Sequence, residues 1–81
     1  MEKDLQKLIY NNSIAFAKNL KFEREANGLS KREMAKLMGI AMQSYWAYEN
    51  GLSLPTTENL LKISHILDIS LDDLFELTPK N

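Results

Sequence analysis

The sequence predicts an all-α domain, and three observations predict it. Apolar residues recur at spacings of three and four, and no stretch alternates apolar and polar residues between turn signals as a strand would. Ser30 and Glu33 precede an apolar run with the spacing of a helix capping box. Gly39 and the Asn-Gly pair at 50–51 follow two short apolar segments, as residues that end helices commonly do. The 81 residues, 44% of them hydrophobic, suit one small domain with a modest core.

The N-terminal third of the chain predicts two helices separated by a break. Leu5, Leu8 and Ile9 mark a short first helix. The segment NNS that follows is expected to interrupt it, with Ser13 as the N-cap of the next helix. That helix should end at the Asn-Gly pair 27–28. Its buried stripe is expected at Ile14, Ala17, Leu20 and Arg24.

Two short helices are predicted in the middle of the chain, over residues 31–38 and about 42–49. The hydroxyl of Ser30 can accept from the amide of Glu33, while the carboxylate of Glu33 reaches back to the amide of Ser30. Gly39 allows the positive φ that a sharp turn between the helices needs. The buried faces are expected at Met34, Ala35, Leu37 and Met38 in the first helix and at Tyr45 and Tyr48 in the second.

Two further helices are predicted before the C-terminus. Pro55 and the two threonines after it should open the first, and Ser70 with Asp73 gives a capping signal for the second. The apolar stripe of the first is expected at Leu60, Leu61, Ile63, Ser64 and Leu67, and that of the second at Leu71, Leu74, Phe75 and Leu77.

No repeat or flexible linker divides the chain. The predicted organisation is therefore a helical extension over residues 1–12, one core domain over 13–77 and a short tail over 78–81.

Composition argues against several classes of protein. The chain has no cysteine, which excludes disulfides and thiolate zinc sites, and it shows neither a signal sequence nor a long apolar run. His65 stands alone, and the aspartates at 68, 72 and 73 lack calcium-loop spacing. We therefore expect a cytoplasmic protein that is no enzyme, carries no cofactor or metal and does not enter a membrane.

Charge is divided along the chain although the net charge is only −1. Residues 18–36 carry six basic and three acidic side chains, a net of +3, whereas residues 58–76 carry one basic and five acidic, a net of −4. One reading is a basic face suited to a phosphate backbone and an acidic face elsewhere. Two ordinary solvated faces are the other reading.

The two short central helices have the form of a helix-turn-helix. Two helices of about eight residues joined by a glycine turn can present the second helix to the major groove of DNA. A generic helical hairpin needs the same glycine turn, so the spacing alone leaves both interpretations open.

The quoted motifs resemble the phage-repressor-like helix-turn-helix family of the Cro or xenobiotic-response-element type, also called lambda-repressor-like. The matching segments are NLK before an Arg-Glu pair, GLS at 28–30, MAKLMGI at 34–40, YENG at 48–51 and LLKISHILDISLDDLF at 60–75. The resemblance covers roughly residues 13–77. It implies a five-helix bundle, binding of double-stranded DNA through the third helix, and commonly a homodimer that acts as a transcriptional repressor or regulator.

This chain departs from that family on the helix expected to read bases. Ala41 stands where Ser or Thr commonly caps the helix, and apolar residues replace several polar readers. Gln43 can pair with adenine and the apolar side chains can cover thymine methyl groups, which predicts an operator rich in A·T pairs. The base-reading candidates are Met42, Gln43, Ser44, Trp46 and Ala47. The phosphate-binding candidates are Lys31, Arg32, Asn50, Thr56, Thr57 and Asn59, for which capping or solvation is the alternative role.

A second function remains open beside DNA binding. If Tyr45 and Tyr48 are buried, Trp46 points outward, and Met42 lies one turn before it. Such a surface also suits a protein partner, as in an antitoxin-like or other interaction module. For the dimer surface we favour the fifth helix and the neighbouring loop, with Leu71, Phe75 and Leu77 as candidates. The N-terminal helix with Leu5, Leu8 and Ile9 is the rival surface.

Overall fold

The computed structural model describes residues 2–76, in which all regular structure is helical. This confirms the predicted all-α class. The five helices are α1 (Glu2–Ala26), α2 (Lys31–Met38), α3 (Met42–Glu49), α4 (Thr57–Leu67) and α5 (Leu71–Phe75). The bounds of α2 and α3 agree with those predicted from the sequence.

Helix α1 is continuous, so the predicted break after its first helical segment is wrong. Ser13 caps nothing, because its hydroxyl donates to the carbonyl of Ile9 at 2.8 Å within the helix. Asparagine and serine disfavour a helix interior by only some tenths of a kcal/mol each, roughly 0.7 at most, which does not end a helix that lacks glycine and proline. All of residues 2–11 are exposed, and the core begins farther along α1.

The core is formed by residues of the second half of α1 together with residues of the other four helices. Phe16 and Leu20 of α1 are fully buried, and Phe16 stacks on Phe75 of α5 with ring centroids 4.7 Å apart. Helix α1 packs against α3 and α5, and α2 packs against α3 and α4. The buried cluster consists of Phe16, Leu20, Met34, Ala35, Met38, Tyr45, Tyr48, Ile63, Leu67 and Leu74.

Two leucines assigned to buried faces are instead exposed. Leu37 and Leu61 each keep 58% of their surface accessible. A helix buries only the arc that faces its neighbours, and Leu61 lies about 200° around α4 from buried Ile63. On α2 the buried arc passes through Met34 and Met38, which leaves Leu37 beside it.

Local caps fix the starts of three helices as predicted. Ser30 and Glu33 form both bonds of the capping box at 3.0 Å. Thr56 accepts from the amide of Asn59 at the start of α4, and Ser70 accepts from the amide of residue 73 at the start of α5. No helix in residues 2–76 combines the length and apolar character that crossing a membrane requires. The division into residues 1–12, 13–77 and 78–81 stays a prediction, and Leu77 and the tail lie outside the described residues.

Candidate nucleic-acid interface

A tight turn at Gly39 joins α2 to α3. Gly39 has φ 70° and ψ 33°, the left-handed conformation that glycine adopts without a steric cost. The amide of Ile40 donates to the carbonyl of Ala35 at 3.1 Å, which satisfies a carbonyl of the last turn of α2. The half-buried Ile40 then packs against the core. The chain therefore leaves α2 abruptly and enters α3 while both helices stay in contact.

Helix α3 is apolar on both its inner and its outer face. Tyr45 is fully buried and Tyr48 is 7% exposed, and their rings meet edge to face at 6.4 Å. Met42 and Trp46 are 45% and 46% exposed on the other side of the helix. The predicted facing, with both tyrosines inward and the tryptophan outward, is confirmed.

The base-reading candidates occupy a continuous surface of α3. Met42, Gln43 and Ser44 form its exposed first turn, Trp46 follows on the same outer side, and Ala47 is half-buried. Ala41 makes no side-chain bond at the N-cap, as the sequence predicted. Side chains of mixed polar and apolar character thus stand together on the face turned away from the bundle.

The phosphate-binding candidates lie at helix ends around α3. Lys31 is half-buried and Arg32 is exposed in the first turn of α2, while Thr57 is exposed in that of α4. Asn50 follows α3 directly, and its side-chain amide donates to the carbonyl of Trp46 at 2.8 Å. Lys31, Arg32 and Thr57 combine helix N-termini with polar side chains, a combination that suits anions, whereas Asn50 lies at the C-terminus of α3.

Two of the phosphate-binding candidates also make internal bonds. Thr56 caps α4, and Asn59 donates through Nδ2 to the hydroxyl of Tyr48 at 3.1 Å. The second bond fixes the start of α4 beside α3. Capping and positioning are therefore established roles for these two residues, and phosphate contact stays a prediction.

A buried ion pair that sequence reasoning missed connects α1 to α3. Arg24 donates through Nε and Nη2 to the carboxylate of Glu49 at 2.6 and 3.1 Å, and through Nη1 to the carbonyl of Leu29 at 2.7 Å. Tyr45 donates its hydroxyl to the same carboxylate. The one available signal was Arg24 itself, a charged residue inside an otherwise apolar stripe.

Protonation states reinforce this network. The hydrogen bond to Glu49 raises the pKa of Arg24, so the guanidinium stays charged. Burial, and then the bond to Glu49, raise the pKa of Tyr45, so its hydroxyl stays a donor at neutral pH. At the surface, hydrogen bonds from Ser30 lower the pKa of Glu33 and favour the ionised carboxylate in the capping box.

Residues 2–76 contain no cluster of three metal-ligating side chains.

A family model described as Helix-turn-helix matches residues 20–74, from the second half of α1 to α5. The chain belongs to this helix-turn-helix family. The match includes the Gly39 turn, helix α3 and the buried Arg24–Glu49 pair. No solved structure gave a significant match.

Curated relatives of this helix-turn-helix chain are named as transcription regulators. It is 46% identical over 52 residues to the cryptic phage CTXphi transcriptional repressor RstR of Vibrio cholerae. The aligned segment covers 64% of this chain and 46% of the relative. It is 43% identical over 61 residues to the HTH-type transcriptional regulator YqaE of Bacillus subtilis, covering 75% and 53%. The prophage-derived regulator YonR of the same species is 40% identical over 63 residues, covering 78% and 58%. The chain therefore spans about half the length of these relatives.

Proposed function

We propose that this protein binds specific sites in double-stranded DNA as a homodimer and represses transcription. The observation that supports this most is the outer face of α3, which follows a tight glycine turn and stands exposed while its tyrosines anchor the helix in the core. A helix held in this way can enter the major groove, which is wide enough for one helix. The name of the Vibrio relative, a transcriptional repressor, supports repression. The setting that we propose is the cytoplasm, with association to the nucleoid when DNA is bound.

The proposed contacts with the bases come from two polar and three apolar residues of α3. In this proposal Gln43 pairs with the N6 and N7 atoms of adenine, and Ser44 adds a second hydrogen-bonding group. Met42, Trp46 and the half-buried Ala47 supply apolar surface for thymine methyl groups. An operator rich in A·T pairs is the expected result.

Phosphate binding falls to the residues around α3. Lys31 and Arg32 lie at the N-terminus of α2, where the backbone amides and the helix dipole favour an anion. Thr57 has the same position on α4, and Asn50 follows the recognition helix. Such contacts position the protein on the duplex and carry no sequence information.

The experiment begins with selection of an operator from a randomised duplex library, followed by titration at about 50 and 200 mM salt. Each phosphate contact releases counterions, so affinity should fall steeply with salt. Lys31→Ala should weaken all duplexes and lower the salt slope by about one unit. Lys7→Ala is the matched control, since Lys7 is exposed on the first half of α1, and it should leave the slope unchanged. Failure of every duplex to bind would refute the proposal.

A protein partner is the second candidate function, and the exposure of Met42 and Trp46 favours it. Aromatic and methionine side chains are enriched at protein interfaces. This alternative predicts no specific duplex from the library, and a partner affinity that barely changes between the same two salt concentrations.

A further inference from the structure

The first half of α1 carries an apolar surface that no described residue buries. Leu5, Leu8 and Ile9 are 58%, 56% and 54% exposed, and every residue from 2 to 11 is exposed. An unpacked helical segment of this length is marginal in water, and Asn11 is a poor helix former. A partner that covers the apolar side of this segment would explain why it is helical.

This surface continues the face on which α5 docks. Leu5, Ile9, Asn12, Phe16 and Asn19 follow at spacings of four, three, four and three residues, which places them along one side of a helix. At the far end of that side, Phe75 stacks on Phe16, and Asn19 donates to the carbonyl of residue 74 at 2.9 Å. The near end has the same character and lacks such a cover among the described residues.

We propose that the near end is covered by the same surface of a second copy of this chain, with the two α1 helices antiparallel and crossing near residue 7. The surface then contributes leucine and isoleucine side chains from both copies to one contact. Antiparallel helices also place opposite ends of their dipoles side by side. The occupant that we propose is thus this chain itself, in a two-fold contact of the kind most homodimers use.

The charges beside the surface favour the antiparallel direction. At about 100° per residue, Glu2 borders one edge of the apolar side and Asp4 the other, while Lys3 and Lys7 lie on the far side of the helix. A parallel pair would set Glu2 of one copy beside Asp4 of the other, and this would happen twice. An antiparallel pair instead brings Asp4 to Asn11 of the second copy, whose amide can donate to a carboxylate.

Packing favours the same direction. In the antiparallel pair, the N-terminus of one α1 lies near residue 12 of the other, short of the Phe16 and Asn19 positions where α5 docks. In a parallel pair, both α5 helices would lie on the contact side. They would hold the α1 axes farther apart than the 8–10 Å of ordinary helix packing.

The proposed antiparallel arrangement also sets the distance between the two cores of the dimer. From the crossing near residue 7 to Leu20 in the core is 13 residues, or about 20 Å at 1.5 Å per residue, which separates the two cores by about 40 Å. Half-sites one turn of DNA apart are spaced about 34–36 Å. The inference deepens the homodimer of the proposed function and rests on that function in this respect.

The first test is sedimentation equilibrium of the full chain without DNA. The parent should dimerise, and Leu5→Glu with Ile9→Glu should raise the dissociation constant at least tenfold. Leu61→Glu, at a leucine on α4 that is also 58% exposed, is the matched control and should dimerise as the parent does. Should the glutamates unfold the chain, Leu5→Ala with Ile9→Ala keeps helix propensity and should give the same loss. A monomeric parent, or a double variant that dimerises as the parent does, overturns the proposal.

The second test determines the direction of the two helices. The chain contains no cysteine, so introduced thiols report without background. Glu2→Cys mixed with Asn12→Cys should form a mixed disulfide, whereas Glu2→Cys alone should not, because its two copies would lie about 15 Å apart along the helices. A disulfide from Glu2→Cys alone indicates parallel helices and overturns the arrangement. Loss of duplex binding with the dimer intact would count against the proposed DNA binding only. A monomer that binds its operator would count against this dimer and against the homodimer in the proposed function, but not against DNA binding.

Discussion

At the residue scale, one buried ion pair fixes α3 to α1. The guanidinium of Arg24 binds Glu49 with two of its nitrogens and the Leu29 carbonyl with the third, so three segments meet at a single side chain. The side chains of Arg24 and Glu49 are only 7% and 2% exposed. A buried pair adds little net stability over apolar residues of the same size, but either charge left alone is costly. The pair therefore acts mainly as a positional constraint.

Glu49→Gln should lower the free energy of unfolding by about 3 kcal/mol, because it leaves the guanidinium of Arg24 buried without a counter-charge. Arg24→Met combined with Glu49→Leu should recover a substantial part of that loss. Urea denaturation of the single and double variants measures both. Equal losses in all variants would show that the two charges are not coupled.

Tyr45 should make the folded protein less stable at alkaline pH. Its raised pKa keeps the proton in the folded state at a pH where the unfolded chain releases it. The free energy of unfolding should therefore fall as pH rises above about 10, the ordinary tyrosine value, by up to about 1.4 kcal/mol per pH unit from this group. Tyr45→Phe should lose about 1 kcal/mol at pH 7 and show a shallower alkaline decline. If the free energy of unfolding declined equally with pH in the parent and in the variant, Tyr45 would not be the cause of the decline.

Substitutions of two exposed side chains on α3 should change operator binding without changing the stability of the domain. Gln43→Ala should reduce discrimination at one base pair of the operator by roughly 1–3 kcal/mol and barely change non-specific affinity. Trp46→Ala should weaken operator binding while the free energy of unfolding stays near that of the parent, because the ring is half exposed. Duplex titration and thermal melting measure the two effects. Variants that bind the operator like the parent would move support to the protein-partner alternative.

At the scale of elements, the turn between α2 and α3 depends on one backbone conformation. A Cβ added at Gly39 would meet no atom within 4 Å, so the constraint is the positive φ and not the surrounding space. The capping box fixes the other end of α2, and the hydroxyl of Ser30 satisfies an amide that the helix leaves unpaired. Helix α2 is thus defined at both ends by local interactions.

Gly39→Val should lower the free energy of unfolding by about 1–2 kcal/mol or more, because a β-branched residue is strained in the left-handed region. Gly39→Asn is the control, since asparagine tolerates that region, and it should lose less. Thermal denaturation of both variants tests the comparison. A valine variant that melts with the parent would show that the turn tolerates other conformations.

At the scale of the whole molecule, the 25-residue α1 joins a packed part to an exposed part. Its buried residues begin at Phe16, and the family match begins at residue 20. The first half of α1 therefore contributes no buried residue to the core of the described chain, and the boundary between residues 12 and 13 stays a prediction.

A chain that starts at Ser13 should unfold cooperatively with a free energy within about 1 kcal/mol of the parent, because no core contact is removed. Denaturation at a concentration where both chains are monomeric makes the comparison fair. Sedimentation at high concentration should show loss of the dimer. A large loss of stability in the monomer would place the domain boundary earlier in the chain.

The sequence by itself determined the features that depend on neighbours three or four residues apart. The capping box at Ser30, the glycine turn, the bounds of α2 and α3, and the outward position of Trp46 were all predicted. Each follows from local hydrogen bonds, allowed backbone angles or helical periodicity. These quantities can be read from a short window of sequence.

Only the tertiary structure decided the features that depend on distant partners. Arg24 and Glu49 are 25 positions apart, and nothing in the spacing joins them. Leu37 and Leu61 are exposed because the neighbouring helices occupy other arcs, and Asn59 contacts Tyr48 because α4 begins beside α3. Local propensity limits which helices can form, but the face that each helix buries is decided by the packing that removes the most apolar surface from water.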